Sequence, residues 1–410
     1  MGVSVDMSAS HSVSASLPRL LRQRLSALML ATSLGLAAPV AMAQSLPPPD
    51  IGGRSWFLFD VSTNTVLYSQ APDERVEPAS LTKLMTAYVV FEALRDGTLN
   101  LDTRPPVSQA AYKAIGSRMF VDPRKPATVD ELLHGLIIQS GNDAAIILAE
   151  AVSGSEEAFA QQMNAEARRI GMKNSHFVNA SGLPAPEHHS TARDMALLAT
   201  RIIKEFPDYY RMYSEKEYTF NGVRQPNRNR LLYIDPSVDG MKTGHTDAAG
   251  YCLVASAHRE QRNAADPNGG PFSRRLLSVL MGASSDATRA TESQKLLNYG
   301  FQNFEALQLY RKNQPVGQHP PVWKGQQATV AAGFADDVIT APRAQIANIK
   351  GEIERTEPLV APIHAGQRIG TLRIRLGDTV IAERPLVALE TVESAGWFKS
   401  TWDTIRLWIK

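Results

Sequence analysis

Hydrophobic periodicity changes character once along this chain, near Phe304, and that change sets its domain organisation. Upstream, apolar residues recur at helical spacing in several blocks, between runs that read as strands. Downstream, helical spacing is absent and short β-forming runs are separated by turn signals: Ala328–Ala332, Val338–Ala341, Ile346–Arg355, Arg368–Leu376 and Thr379–Val387. The first pattern predicts an α+β domain, helices packed on an antiparallel sheet, over residues 44–304. The second predicts a small all-β domain, sandwich or barrel, over residues 305–392. The 410 residues are enough for two or three domains and a large core. Cys252 is the only cysteine, so packing rather than disulfides has to supply stability, and no CxxC metal or redox motif is possible.

The upstream elements can be placed. Ser55–Asp60 and Thr65–Ser69 read as a hairpin joined by the polar turn Val61–Asn64. Helical spacing starts near Ser80 and runs to about Arg95. Thr128 with Glu131 makes a capping box that opens a helix over Val129–Ile138, and a further helix, Ala144–Val152, follows Ser140-Gly141-Asn142. Thr191 with Asp194 makes another box ahead of Met195–Glu205. Met241-Lys242-Thr243-Gly244 leads into a strand pair, Tyr251–Ala257 and Arg275–Gly282, linked by the loop Arg262–Pro271. A helix over about Asp286–Asn298 closes the domain.

Both ends differ from this body. Arg19, Arg22 and Arg24 precede an apolar run, Leu25–Val40, that ends at Ala41-Met42-Ala43 before Gln44. A basic region, an apolar stretch and a small-x-small site form an export signal over residues 1–43, cleaved after Ala43. The run is short for a membrane-spanning anchor. The chain is therefore expected to work outside the cytoplasm, in a bacterial periplasm. At the other end, residues 393–410 hold three of the five tryptophans. At ~100° per residue, Trp397, Phe398, Trp402, Ile405, Trp408 and Ile409 share one sector, with Lys399, Asp403, Arg406 and Lys410 opposite. An amphipathic helix lying in the plane of a membrane fits that pattern, and a helix docked on the protein's own core is the alternative.

Composition excludes some classes. With 43% hydrophobic and 20% charged residues the chain is globular rather than disordered. A formal net charge of +2 offers no basic stripe, so no nucleic-acid partner is expected.

Three short motifs carry the chemistry: Ser80-Leu81-Thr82-Lys83, Ser140-Gly141-Asn142 and Lys242-Thr243-Gly244. Ser and Lys three apart on a helix share a face, so Lys83 can reach the Ser80 hydroxyl. A serine hydroxyl needs a base, and a lysine of pKa ~10.4 is neutral in only about one molecule in 2,500 at pH 7. Burial or a second cation lowers that pKa, and Lys242 is the candidate cation. A helix N-terminus at Ser80 would favour an oxyanion through its backbone N–H groups. A lone SxxK has no weight, since about one is expected by chance in a chain of this length. All three motifs in order, in a chain with an export signal, carry far more.

The segments PASLTK, IIQSGNDAA, STARDMALL, DGMKTGHT and AGYCLVASA resemble those of the low-molecular-mass penicillin-binding proteins, the D-alanyl-D-alanine carboxypeptidases. The β-rich second domain and amphipathic terminus resemble the carboxypeptidase-5/6 branch. The resemblance implies a β-lactamase/transpeptidase-like catalytic fold and a serine hydrolase that removes the terminal D-Ala from peptidoglycan pentapeptide stems and is acylated by β-lactams. It implies Ser80 as nucleophile, Lys83 as its general base and Ser140 as proton relay. Asn142 would hold the substrate amide. Lys242 and Thr243 would serve the terminal carboxylate, with help from Arg228 or Arg289, and the N–H groups of Ser80 and His245 would form the oxyanion hole. For each arginine a structural ion pair is the competing reading. No cofactor and no metal are implied, and His188-His189 lacks the HExxH context of a zinc site. The expected partners are stem peptides, β-lactams and, through the terminal helix, the periplasmic face of the inner membrane. A D,D-endopeptidase or weak β-lactamase using the same site, or a non-catalytic penicillin-binding sensor, are the alternatives. SGN in place of SDN fits carboxypeptidases better than class A β-lactamases. No firm position is found for a deacylating glutamate, Glu187 being the nearest. Pro184 stands where the family often carries Asp. Cys252, on the strand after KTG, reads as a buried core thiol.

Overall fold

Strands β1 (Ser55–Asp60), β2 (Thr65–Gln70), β3 (Val238–Thr246), β4 (Gly250–Gln261) and β5 (Phe272–Ala283) form one antiparallel sheet in the order β2-β1-β5-β4-β3. The structure, a computed structural model, describes residues 47, 49–262, 271–310, 313–334 and 338–409; the expected export segment 1–43 and most of the Arg262–Pro271 loop lie outside the described residues. The sheet is covered on both faces, because its strands are apolar on both sides. Phe57, Val254 and Val279 pack into the main helical core, while Gly300 on the closing helix lies against Leu58 and Leu276. A Cβ at Gly300 would come 2.7 Å from Leu276, so helix and sheet meet at van der Waals contact there.

The helical layer is built around α1 (Lys83–Arg95). Its residues from Lys83 to Ala93 are all buried, the signature of a helix enclosed on every side. Around it stand α2 (Val129–His134), α3 (Asn142–Ser153), α4 (Glu156–Ile170) and α5 (Ala192–Glu205), and α6 (Asp286–Asn303) lies on the far face of the sheet. The expected capping box forms: Thr128 Oγ1 accepts from Glu131 N–H and the Glu131 carboxylate accepts from Thr128 N–H. The box expected at Thr191 is half made. Thr191 Oγ1 caps Asp194 N–H, but the Asp194 carboxylate accepts from Asn174 N–H and Ser175 Oγ instead. The helix expected over Val129–Ile138 is α-helical only to His134 and then widens into a π turn, Gly135–Gln139. Met119 sits where a Cβ of residue 135 would be, 2.2 Å from its Sδ, so only glycine admits this packing.

The described residues divide into two compact units, one with residues 48–317 and 333–343 and one with residues 318–332 and 344–410. The strand Phe304–Gln308 and its antiparallel partner Val338–Pro342 thus belong to the larger unit, beyond the break in periodicity. In the smaller unit, β6 (Ile349–Arg355), β7 (Arg368–Leu376) and β8 (Thr379–Ala388) form an antiparallel sheet, and Val322–Trp323 pairs with Leu359–Val360. Ile349, Leu359, Ile369, Leu372, Ile374, Leu386 and Val392 make its core. The strand expected over Ala328–Ala332 is reduced to a Pro321–Thr329 bridge and the short pair at Ala332–Gly333.

Helix α7 (Trp397–Ile409) ends this unit. It meets the β strands through its polar edge: Asp403 is buried and accepts from Lys324 N–H at 2.8 Å, and Lys399 Nζ donates to Gly325 O at 2.7 Å. Trp397, Phe398, Trp402 and Ile405 are exposed.

Candidate active site

Ser80 sits on a 3-10 turn, Ala79–Thr82, that precedes α1 rather than on its first α-helical turn. Two glycines let backbone close in on that turn. A Cβ on Gly182, at φ +83°, would fall 1.9 Å from Ala79 O, and one on Gly244 would fall 3.1 Å from Ser80 N. The third support is a side-chain bond, Thr82 Oγ1 to His188 Nε2 at 2.8 Å. His188 Nδ1 accepts from Val178 N–H, so Nε2 is the protonated nitrogen and donates to Thr82. Burial first, then the charges of His176, His189 and Lys83, push the His188 pKa down to about 4, so the ring is neutral at physiological pH.

Lys83 opens α1 beneath the serine, and its ammonium nitrogen is buried. Nζ lies 3.2 Å from Ser80 Oγ, 2.7 Å from Asn142 Oδ1 and 2.5 Å from Ser181 O. Two of these partners are carbonyl oxygens that can only accept. In neutral lysine they take both N–H groups, and the lone pair is left toward the hydroxyl. Burial lowers the Lys83 pKa to about 7, followed by the charge of Arg228. Arg228 thus acts on Lys83 in addition to Lys242, the cation that the sequence pointed to. Lys242 is held well below its own ordinary value by burial and then by Lys83, Arg228 and Arg289. Moving a lysine from 10.5 to about 7 corresponds to roughly 5 kcal/mol of differential interaction.

The π turn delivers the middle motif. It ends at Ser140, whose φ of +65° turns the chain into α3. Ser140 Oγ is buried, lines the cleft and has no hydrogen-bond partner among the described residues. A buried orphan hydroxyl in a cleft is a group kept for something else. Asn142 accepts from Lys83 and donates to Ile115 O at 2.6 Å, which among the described residues leaves one amide hydrogen without a partner.

Strand β3 forms the opposite wall, with Lys242 and Thr243 buried and His245 exposed. Lys242 Nζ donates to Thr243 O at 3.1 Å. The cleft is about 530 Å³ and is lined by Ser80, Ser117, Ser140, Arg228, Thr243, His245, Tyr251 and Arg289. His245 stacks on Tyr251 with ring centroids 4.0 Å apart. The two arginines separate: Arg289 is ion-paired with Asp286 and donates to Gly244 O, whereas among the described residues no carboxylate pairs with Arg228. Burial and the Arg289 charge hold the Arg228 guanidinium below its ordinary value. Cys252 is buried behind this wall, and burial pushes its thiol up to about 11.

All nine residues singled out from the sequence thus come to one cleft or to its walls. Sequence reasoning missed the strap that seats Lys83. Ser181 O is held there because Ala180 donates its N–H to Glu156 and accepts from Thr86 Oγ1. A main-chain carbonyl leaves no mark on residue identity; Gly182 beside it was the only signal. Glu187 lines no part of this cleft, and its carbonyl accepts from His189 Nδ1.

Comparison with known proteins shows the family to which the chain belongs. Residues 41–266 match the family described as D-alanyl-D-alanine carboxypeptidase, and residues 304–394 match the C-terminal domain of penicillin-binding protein 5. The chain is 42% identical over 387 residues to the D-alanyl-D-alanine carboxypeptidase DacC of Escherichia coli, covering 91% of this chain and 93% of that one. It is 34% identical over 368 residues to DacF of Bacillus subtilis, covering 87% and 90%. The solved structure of penicillin-binding protein 5 from Haemophilus influenzae superposes with a TM-score of 0.76 at 38% identity, over 85% of this chain and all of that one. Penicillin-binding protein D2 of Listeria monocytogenes, solved in an ampicillin-bound form, matches with a TM-score of 0.55 at 30% identity, over 62% of this chain.

Proposed function

This chain belongs to the D-alanyl-D-alanine carboxypeptidase family, and from that premise we propose how its residues perform the reaction and where it takes place. The enzyme is a serine-type carboxypeptidase that removes the terminal D-Ala from peptidoglycan stems. Neutral Lys83 takes the proton of Ser80 as Oγ attacks the carbonyl of the penultimate D-Ala. The negative charge on the tetrahedral oxygen is met by the N–H groups of Ser80 and His245. Ser140 relays the proton taken up by Lys83 to the departing amine, D-alanine leaves, an ester to Ser80 remains, and Lys83 is neutral again. Water then hydrolyses that ester. Thr243 and the unpaired Arg228 receive the substrate's terminal carboxylate, since a free guanidinium binds it through charge-assisted hydrogen bonds. Lys242 lies beneath it, its Nζ donating to Thr243 O. Arg289 supports the wall through its pair with Asp286. The free amide hydrogen of Asn142 is available to the substrate backbone.

The single observation that carries this reading is the seat of Lys83. Two carbonyl acceptors fix its N–H groups and leave the third direction to Ser80 Oγ at 3.2 Å. A β-lactam enters as a mimic of D-Ala-D-Ala and acylates Ser80, a reading supported by the ampicillin-bound relative. The export signal expected from the sequence and the outward aromatic face of α7 support a periplasmic enzyme held at the inner membrane.

D-alanine release from diacetyl-Lys-D-Ala-D-Ala, by the chain lacking residues 1–43 and beside Ser80→Ala, tests the assignment. Release by the parent chain and none by the variant is the expected result. If neither releases D-alanine while fluorescent penicillin labels only the parent, the site acts on a different substrate, such as a cross-link. No labelling at all would leave a binding protein.

A further inference from the structure

Beside the catalytic cleft lies a second, larger groove of about 940 Å³, whose lining includes Tyr112, Lys113, Arg118, Phe120 and Arg124. It adjoins the cleft across one peptide bond, since Ser117 lines the cleft and Arg118 lines the groove. The same segment supports the site, with Ser117 O accepting from Asn142 N–H at 2.7 Å and Ile115 O accepting from the Asn142 side chain.

Two observations mark the groove as built for a ligand. The first is Phe120, which is 60% exposed and held at φ +65°, a conformation costly for a bulky side chain. What holds it is Asp143, the neighbour of Asn142. Its buried carboxylate accepts from Met119, Phe120 and Val121 N–H at 2.9, 2.8 and 3.3 Å. The turn presents an aromatic face to solvent where ordinary packing would bury it. The second is charge. Arg118 lies over the Phe120 ring at 4.7 Å, and among the described residues neither it nor Lys113 is in an ion pair. The carboxylate of Asp122 is already taken by Arg124. The groove therefore offers two cations, Lys113 and Arg118, that no carboxylate among the described residues pairs with, Arg118 also donating to Tyr112 O, beside the exposed Tyr112 and Phe120 rings.

We propose that this groove is the subsite for the acidic upstream part of the stem peptide, with Arg118 pairing a stem carboxylate and Phe120 packing on the peptide beside it. The inference rests on the carboxypeptidase reading. Charge complementarity and continuity with the cleft select this occupant. An extended peptide advances ~3.3 Å per residue, so a side chain two or three positions before the scissile bond lies roughly 7–10 Å upstream. The γ-linked glutamyl residue of a stem carries its free carboxylate at that range. The cleft then reads the D-Ala-D-Ala end, and the groove distinguishes a genuine stem from any peptide that merely ends in D-Ala-D-Ala.

Three substrates test this with the full chain lacking only residues 1–43: diacetyl-Lys-D-Ala-D-Ala, the pentapeptide L-Ala-γ-D-Glu-Lys-D-Ala-D-Ala, and the same pentapeptide with the glutamyl carboxylate amidated. Arg118→Gln is expected to lower kcat/KM for the acidic pentapeptide about tenfold, as loss of one charge-assisted hydrogen bond would. It should leave the diacetyl tripeptide and the amidated pentapeptide unchanged. Phe120→Asn, which keeps a residue at ease in the left-handed region, should lower both pentapeptides and spare the tripeptide. Labelling by fluorescent penicillin at the parent rate shows that each variant is folded and acylatable. Equal losses on all three substrates, no loss on any, or an equal loss on the acidic and amidated pentapeptides in Arg118→Gln would each overturn the proposal. Failure of the parent chain to release D-alanine from the tripeptide would speak against the carboxypeptidase reading itself, separately from the groove.

Discussion

Lys83 holds the balance between stability and reactivity at the residue scale. Its pKa lies near 7 because burial and Arg228 both disfavour the charged form. In its proposed role as base Lys83 works only when neutral, so acylation of Ser80 is expected to rise with pH through about 7 and to level off above it. Stopped-flow labelling with fluorescent penicillin between pH 5 and 9 reads this midpoint. Arg228→Gln removes one of the two causes, so the midpoint should move upward; an unchanged profile would show that Arg228 does not reach Lys83. The linkage to folding has a definite sign. A folded pKa depressed below the unfolded value of 10.5 means that the unfolded chain binds the extra proton between pH 7 and 10.5, so this contribution to stability falls as pH drops through that window. Ser140 gives a cleaner separation of roles. Its hydroxyl has no partner to lose, so Ser140→Ala is expected to change the urea midpoint very little. If the hydroxyl relays the proton, the same change should lower D-alanine release by about 10²-fold or more. A large fall in stability with activity retained would reverse that assignment.

At the scale of elements, the π turn and helix α7 are the two places where a segment does something its sequence pattern does not announce. The π turn replaces the end of an expected α-helix because Met119 occupies the space against Gly135, and the extra residue it accommodates aims Ser140 into the cleft. Helix α7 has the amphipathic pattern read from the sequence, but its apolar side faces away from the β strands that hold it. Asp403 and Lys399 make the attachment. That orientation leaves an exposed aromatic side for the membrane contact proposed above, and among the described residues no helix is long and apolar enough to cross a bilayer. Trp402→Glu is expected to abolish co-sedimentation with anionic phospholipid vesicles while leaving D-alanine release in solution at the parent rate. Vesicle binding that survives this change would assign the exposed face to something other than lipid.

For the molecule as a whole, the catalytic unit is held as one body by its enclosed sheet. A buried ion pair ties the rim of that sheet to the end of α6: Arg274 Nε donates to Asp60 at 2.7 Å and its NH1 donates to Phe304 O at 2.8 Å, with both charged side chains fully buried. Removing one partner strands the other charge. Arg274→Ala is therefore expected to cost about 3–5 kcal/mol in urea unfolding, well beyond the cost of trimming a surface arginine. Replacing the pair together, by Asp60→Leu with Arg274→Met, should recover most of that loss, because well-packed apolar groups avoid the desolvation penalty. A double variant as unstable as the single one would show that the polar bond to Phe304 O, not the stranded charge, is what matters.

Much of this was legible in the sequence, and the reason is local. Capping at Thr128, the hairpin after Ser55 and the change of period near Phe304 are short-range properties of side chains and spacing. So are the three catalytic motifs, since each places its reactive groups within a few residues of one another. What the sequence alone did not determine are the relations between distant segments. The partner of Lys83 at Ser181 is a main-chain carbonyl, Arg228 adds its charge beside that lysine, and the two arginines differ because Asp286 pairs with one of them. The direction in which α7 presents its tryptophans likewise depends on where Lys324 and Gly325 come to lie. Periodicity gives the face of a helix but not the surface it meets. Chemistry of residue types is written in the chain; burial, charge neighbourhood and orientation arise only when the chain folds back on itself.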